Sequence, residues 1–124
     1  MTDDYESALG FIHSTLKFGS KPGLERIAEL CRRLENPQDK LKFVHVAGTN
    51  GKGSTVTMIA SALELSGLKV GKYTSPYIYD FRERIEVNGQ KISEKAVVRL
   101  TKKVRDVCLS MGEHPTEFEL VTAL

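Results

Sequence analysis

His45-Val46-Ala47-Gly48-Thr49-Asn50-Gly51-Lys52-Gly53-Ser54 reads as an apolar strand that breaks into a glycine loop and opens a helix. Lys42 to Ala47 supplies β-branched and apolar strand residues, and Val56, Ile59, Ala60 and Leu63 recur at helical spacing after Ser54. Gly48, Gly51 and Gly53 remove side chains where backbone must come close to a ligand. The loop N–H groups and the positive end of the helix then face one point, which makes an anion site, and Lys52 adds a full charge able to reach terminal phosphates. Gly48, Thr49, Asn50, Gly51, Lys52, Gly53 and Ser54 are therefore the candidate cradle of a nucleoside triphosphate, with ATP the expected cofactor. The common spacing G-x-x-x-x-G-K-[ST] is not met, because Val46 stands where its first glycine would fall and Gly53 follows Lys52. A bland alternative, an Asn-Gly turn in a basic loop, requires a second strand after Gly51, and a helical pattern follows instead.

Outward from the loop, Ser66-Gly67 closes the helix and Lys69 to Tyr73 reads as another strand. Strand, crossover helix and strand predict a parallel, right-handed βαβ unit within a mainly parallel sheet flanked by helices. Thr74-Ser75-Pro76 would then lie past the carboxyl end of its strand, on the ligand-binding edge of an open α/β sheet. Gly53 offers no hydroxyl to a magnesium ion, so another hard oxygen is wanted near the phosphates, and Ser54, Thr55 and Ser75 are the candidates.

The 124 residues predict at most one domain, and the net charge of +2 carries no long basic run, which argues against a nucleic-acid surface. Cys31 and Cys108 each fall on an apolar helical face, the place of reduced core thiols and a weak pointer to the cytoplasm. No stretch reads as a signal peptide or a bilayer span, so a soluble protein, here expected to be a monomer, is the prediction.

The remaining segments read as supports or as loops. Tyr5, Ala8, Leu9, Ile12 and Leu16 mark an amphipathic first helix ending at Gly19, with His13 a surface residue. Lys21-Pro22-Gly23 is turn chemistry ahead of a helix with Leu24, Ile27, Ala28, Cys31 and Leu34 on one face. Tyr77 to Arg84 has no clean period and reads as a loop able to cover a site, with Arg82 and Arg84 in solvated ion pairs with Glu83 and Glu86 or facing an anionic ligand. Asn88-Gly89 predicts a short hairpin. Ser93 caps a long helix with Val97, Leu100, Val104, Cys108 and Met111 facing inward, and Thr116 with Glu119 has the spacing of a capping box.

The loop at 45–54, Gly71-Lys72-Tyr73-Thr74-Ser75-Pro76 and Arg82-Glu83-Arg84-Ile85 together resemble the folylpolyglutamate synthase / dihydrofolate synthase family of the Mur-ligase group, from about Gly19 to the last residue. The resemblance implies a longer protein, of which residues 1–124 are the N-terminal part of the ATP-binding domain, with the C-terminal glutamate-ligase domain absent. It implies ATP and magnesium as cofactors, Ser75 as a metal ligand and Lys52 as the catalytic charge. It puts Lys21, Pro22, Gly23, Leu24, Arg82, Thr116, Glu117, Phe118 and Glu119 against a folate or dihydropteroate substrate. The implied reaction is ATP-dependent addition of L-glutamate through an acyl phosphate, catalysed mostly by positioning and charge neutralisation, and no general base stands out in this sequence. The alternative is a nucleotide-binding P-loop module or a small kinase without ligase activity, which leaves the Thr74-Ser75-Pro76 and Arg82-Glu83-Arg84 motifs unexplained.

Overall fold

The computed structural model describes residues 4–124. In chain order the helices are α1 (Tyr5–Ser14), α2 (Glu25–Arg33), α3 (Lys52–Leu65), α4 (Glu94–Leu109) and α5 (Glu117–Ala123), and the strands are β1 (Gly71–Tyr73), β2 (Ile85–Val87) and β3 (Gln90–Lys91). They form two compact units, one of Met1–Lys42 with Glu94–Leu124 and one of Phe43–Ser93. Among the described residues no helix is long and apolar enough to cross a membrane.

The first unit is helical. Asp4 caps α1 by accepting from the Ser7 N–H at 2.7 Å, and the apolar spacing buries Ala8 and Ile12. After Ser14 the chain tightens into a 3-10 turn, Thr15–Phe18, and Gly19 ends it at φ 66°. The tighter winding, about 120° per residue against 100°, turns Thr15 inward and leaves Leu16 60% exposed, so the apolar position expected at Leu16 is replaced by a buried hydroxyl bonded to the Ile12 carbonyl. Helix α2 buries Arg26, Leu30 and Leu34, and α4 buries Val97, Thr101, Val104 and Cys108. The expected inward residues Leu24 and Ala28 are exposed, because the buried stripe follows the i, i+4 row through Arg26. Both cysteines are free thiols, and burial pushes Cys108 up to about 11.

On the outer side of α2, Glu29 accepts from Arg32 Nε and Nη2 at 2.9 and 2.8 Å and from Arg33 Nε at 2.6 Å. These bonds hold its carboxyl at about 2, below the ordinary 4.5. A lowered folded-state value means that the stabilisation is complete above the ordinary value and is lost as pH falls through the lowered one. Unfolding midpoints in urea should therefore drop for the wild type between pH 4.5 and pH 2. Glu29→Gln should flatten that part of the profile; an unchanged profile would show that the cluster contributes nothing.

The second unit carries a three-stranded sheet in the order β1-β2-β3, antiparallel throughout. The hairpin at Asn88-Gly89 is as expected, with φ of 50° and 75° at the two turn residues. The parallel ladder between 42–47 and 69–73 is corrected: among the described residues 42–47 pairs with no strand, and Tyr73 instead faces Ile85. The cause is local. The Thr74 N–H bonds the Arg84 carbonyl at 3.0 Å and the Asn88 N–H bonds the Val70 carbonyl at 2.9 Å, so the short connection through residues 74–84 brings β2 back beside β1 at a small closure cost. Lys72 ties this sheet to α3, its Nζ lying 2.6 Å from Glu86 Oε2 and 3.5 Å from Thr57 Oγ1.

Candidate functional site

Helix α3 begins at Lys52, two residues before the expected start at Ser54, with Gly51 at φ 74° as its N-terminal cap and Gly48 at φ 155° at the base of the loop. A side chain at either position would be strained. Thr49 and Asn50 are exposed in the bend between them, and Gly53 and Ser54 are exposed in the first turn. Open space surrounds the place where a Cβ on Gly53 would stand. Lys52 folds over the loop and donates to the Gly48 carbonyl at 2.6 Å. The first turn of any helix has N–H groups without intrahelical acceptors, and here an exposed ammonium stands on that same turn. The arrangement suits a multiply charged anion such as a triphosphate.

Ser75 lies two residues beyond β1, exposed, in the same compact unit as Lys52. The segment after it, read from sequence as a loop able to cover a site, ends in a 3-10 turn and is tied down by its own carboxylates. Asp80 and Glu83 form a capping box on the 3-10 turn Phe81–Arg84, and Glu83 also accepts the Ile78 and Tyr79 N–H groups. These backbone bonds, Ile78 foremost, hold the Glu83 carboxyl below its ordinary value. Arg82 pairs with Asp80 at 2.8 Å rather than with Glu83, and Glu86 pairs with Lys72. Arg84 is buried, its guanidinium 5.7 and 5.8 Å from the rings of Tyr73 and Phe81. The signal for this was present as Asp80-x-x-Glu83, the spacing of a capping box.

In the first unit a cavity of about 450 Å³ opens between the loop before α2 and the start of α5. Gly19, Ser20, Lys21, Gly23 and Leu24 line one side, Ile27 the floor, and Thr116, Phe118, Glu119 and Thr122 the other. Six of the nine expected substrate residues thus meet; Pro22 and Glu117 do not line the cavity, and Arg82 belongs to the other unit. Thr116 Oγ1 accepts the Glu119 N–H at 3.3 Å and Glu119 Oε2 accepts the Thr116 N–H at 2.8 Å, the expected capping box. The same carboxylate takes Arg26 Nε and Nη2 at 3.2 and 3.1 Å. Arg26 is the residue that the sequence reading missed, and its spacing of four before Leu30, on the buried row of α2, was the available signal. Among the described residues no group of three or more His, Cys, Asp or Glu could hold a metal ion.

A helical unit, and a second unit in which a glycine loop opens helix α3 beside a small sheet, place the chain among α/β proteins of the phosphate-loop kind. No protein-family model matches it. The chain is 47% identical over 123 residues to the dihydrofolate synthase/folylpolyglutamate synthase of Bacillus subtilis strain 168, covering 96% of this chain and 29% of that protein. It superposes on the folylpolyglutamate synthetase from Lactobacillus casei with a TM-score of 0.88 and 41% identity, over 97% of this chain and 31% of that one. A solved FPGS-AMPPCP-folate complex matches with a TM-score of 0.87 and 38% identity, over 97% of this chain and 30% of the other. The chain belongs to the folylpolyglutamate synthase/dihydrofolate synthase family, and it spans under a third of the length of these relatives.

Proposed function

We propose that the chain is the N-terminal part of an ATP-binding domain in a ligase that joins L-glutamate to folate or dihydropteroate, and that it works in the cytoplasm. The observation that carries this is the match over nearly the whole chain to a synthase solved with AMPPCP and folate, two ligands that correspond to the two kinds of site described above. The glycine loop with Lys52 suits the triphosphate, and the cavity between residues 19–24 and α5, walled by Leu24, Ile27 and Phe118, suits a flat aromatic ring system.

In the proposed reaction a substrate carboxylate oxygen attacks the γ-phosphorus of ATP, and the bond to the bridging oxygen breaks to release ADP. The glutamate amine then attacks the acyl carbonyl, phosphate departs with the bonding pair, and the amine proton is lost to solvent. Lys52 and the N–H groups of the first turn of α3 stabilise charge on the phosphoryl oxygens and orient them. Magnesium, when bound, neutralises phosphate charge. Exposed hydroxyl oxygens fit such an ion because it keeps several waters and takes few protein ligands; Ser75 would hold it, with Ser54 and Thr55 on α3 as the alternatives.

The test is ADP release by the full-length protein. Sustained turnover that requires both glutamate and a pteroate or folate, with about one equivalent of ADP per enzyme when glutamate is withheld, supports the ligase. Sustained ADP release with no pteroate, folate or glutamate present supports the kinase or switch alternative instead.

A further inference from the structure

Residues 19–24 make no helix or strand of their own, yet they form one wall of the cavity. The wall takes its shape from Gly19 at φ 66° and Gly23 at φ 102°, and a Cβ on Gly23 would run into the Glu25 carboxylate. Something must hold such a segment, and one buried side chain does. Arg26, 7% exposed, donates from Nη2 to the Lys21 carbonyl at 2.9 Å and to the Pro22 carbonyl at 3.3 Å. The same guanidinium grips Glu119 with Nε and Nη2, and its Nη1 lies 3.5 Å from Glu113, which also meets Lys21 at 3.6 Å. Glu119 in turn fixes the Thr116 N–H at the start of the opposite wall.

We propose that Arg26 is a positioning residue for the substrate cavity: its rigid fork bridges the 19–24 loop to the first turn of α5 and sets the gap into which a planar heteroaromatic substrate slides. This rests on the assignment of the cavity to a pteroate-type substrate. The guanidinium is suited to the task because it presents five N–H donors in one plane, and a lysine ammonium cannot span the same four acceptors. Its charge is engaged by Glu119 and Glu113, so it serves the ligand by holding the walls and not by pairing with it. An apolar slot with its charges already matched favours a neutral ring over a free carboxylate.

The experiment titrates pteroic acid, and separately ATP with magnesium, into the full-length protein carrying this sequence and into its Arg26→Lys variant and the charge-free pair Arg26→Met with Glu119→Leu, by calorimetry and ligand-observed NMR. Arg26→Lys keeps a positive charge beside Glu119 and so guards against simple misfolding. Pteroic acid affinity is expected to fall about tenfold or more in both variants, as loss of geometry at a shaped site does, while ATP affinity stays within about twofold. Equal affinity for pteroic acid in wild type and Arg26→Lys would overturn the role of Arg26 and leave the substrate assignment standing. A parallel loss of ATP and pteroic acid affinity would overturn it too, as a general folding effect. A full-length wild type that binds ATP but no pteroic acid would remove the substrate assignment, and the positioning role with it.

Discussion

Lys52→Ala is expected to lower glutamate addition about a hundredfold or more in a full-length synthase carrying this sequence, because one preorganised charge at a reacting phosphoryl group contributes on that scale. The fold should survive. Lys52 is exposed, its contact is with the Gly48 carbonyl of its own loop, and alanine is the best helix former for the first turn of α3. Circular dichroism and melting should therefore match the wild type while kcat collapses. Lys52→Arg keeps the charge but replaces a compact ammonium with a planar fork, so it should restore only part of the activity. Near-normal turnover in Lys52→Ala would remove the phosphate loop from the mechanism.

The 124-residue chain by itself is expected to bind nucleotide weakly and to form no folate–glutamate product. The glycine loop is shaped by residues within the second unit, so some affinity for a triphosphate should persist. Ligation requires the acyl phosphate and the amine to be held in register, an effect contributing roughly 7–11 kcal/mol in well-oriented reactions. A chain spanning 29% of its relative's length is proposed to lack that grip. A ligand at one hundred times its dissociation constant stabilises a fold by about 2.7 kcal/mol, so millimolar ATP with magnesium should give a small rise in Tm. Product formed by the isolated chain at an ordinary enzymatic rate would overturn both the fragment proposal and this division of labour.

How much of this the sequence carried depends on the reach of each interaction. The start of α3 after Gly51, the Asn88-Gly89 turn and the Thr116–Glu119 box were legible because each is settled within about four residues. Pairing of β1 was not. Strand partners are chosen by which segments the connections bring together, and periodicity in Lys69 to Tyr73 contains no record of Ile85–Val87. Arg26 was hidden for a different reason. Among Glu25, Glu29, Arg32 and Arg33 a charged residue reads as solvated helix surface, and its burial is made tolerable chiefly by a carboxylate 93 positions away, with the Lys21 and Pro22 carbonyls. Of the candidate site, the loop residues were readable by motif, whereas the cavity depends on α2 and α5 packing together, a contact between distant segments.

The extended run at residues 42–47 has a consequence for handling the molecule. Phe43 and Val44 stand 69% and 63% exposed without a ladder partner among the described residues, and Met58, Leu65 and Ile78 of the same unit are exposed as well. An exposed apolar run whose backbone joins no sheet is a template onto which another copy can add by backbone pairing. A net charge of +2 supplies little mutual repulsion to keep copies apart. Self-association of this chain is therefore expected to follow that run more than its average composition, and Val44→Lys should reduce it without touching the glycine loop that follows.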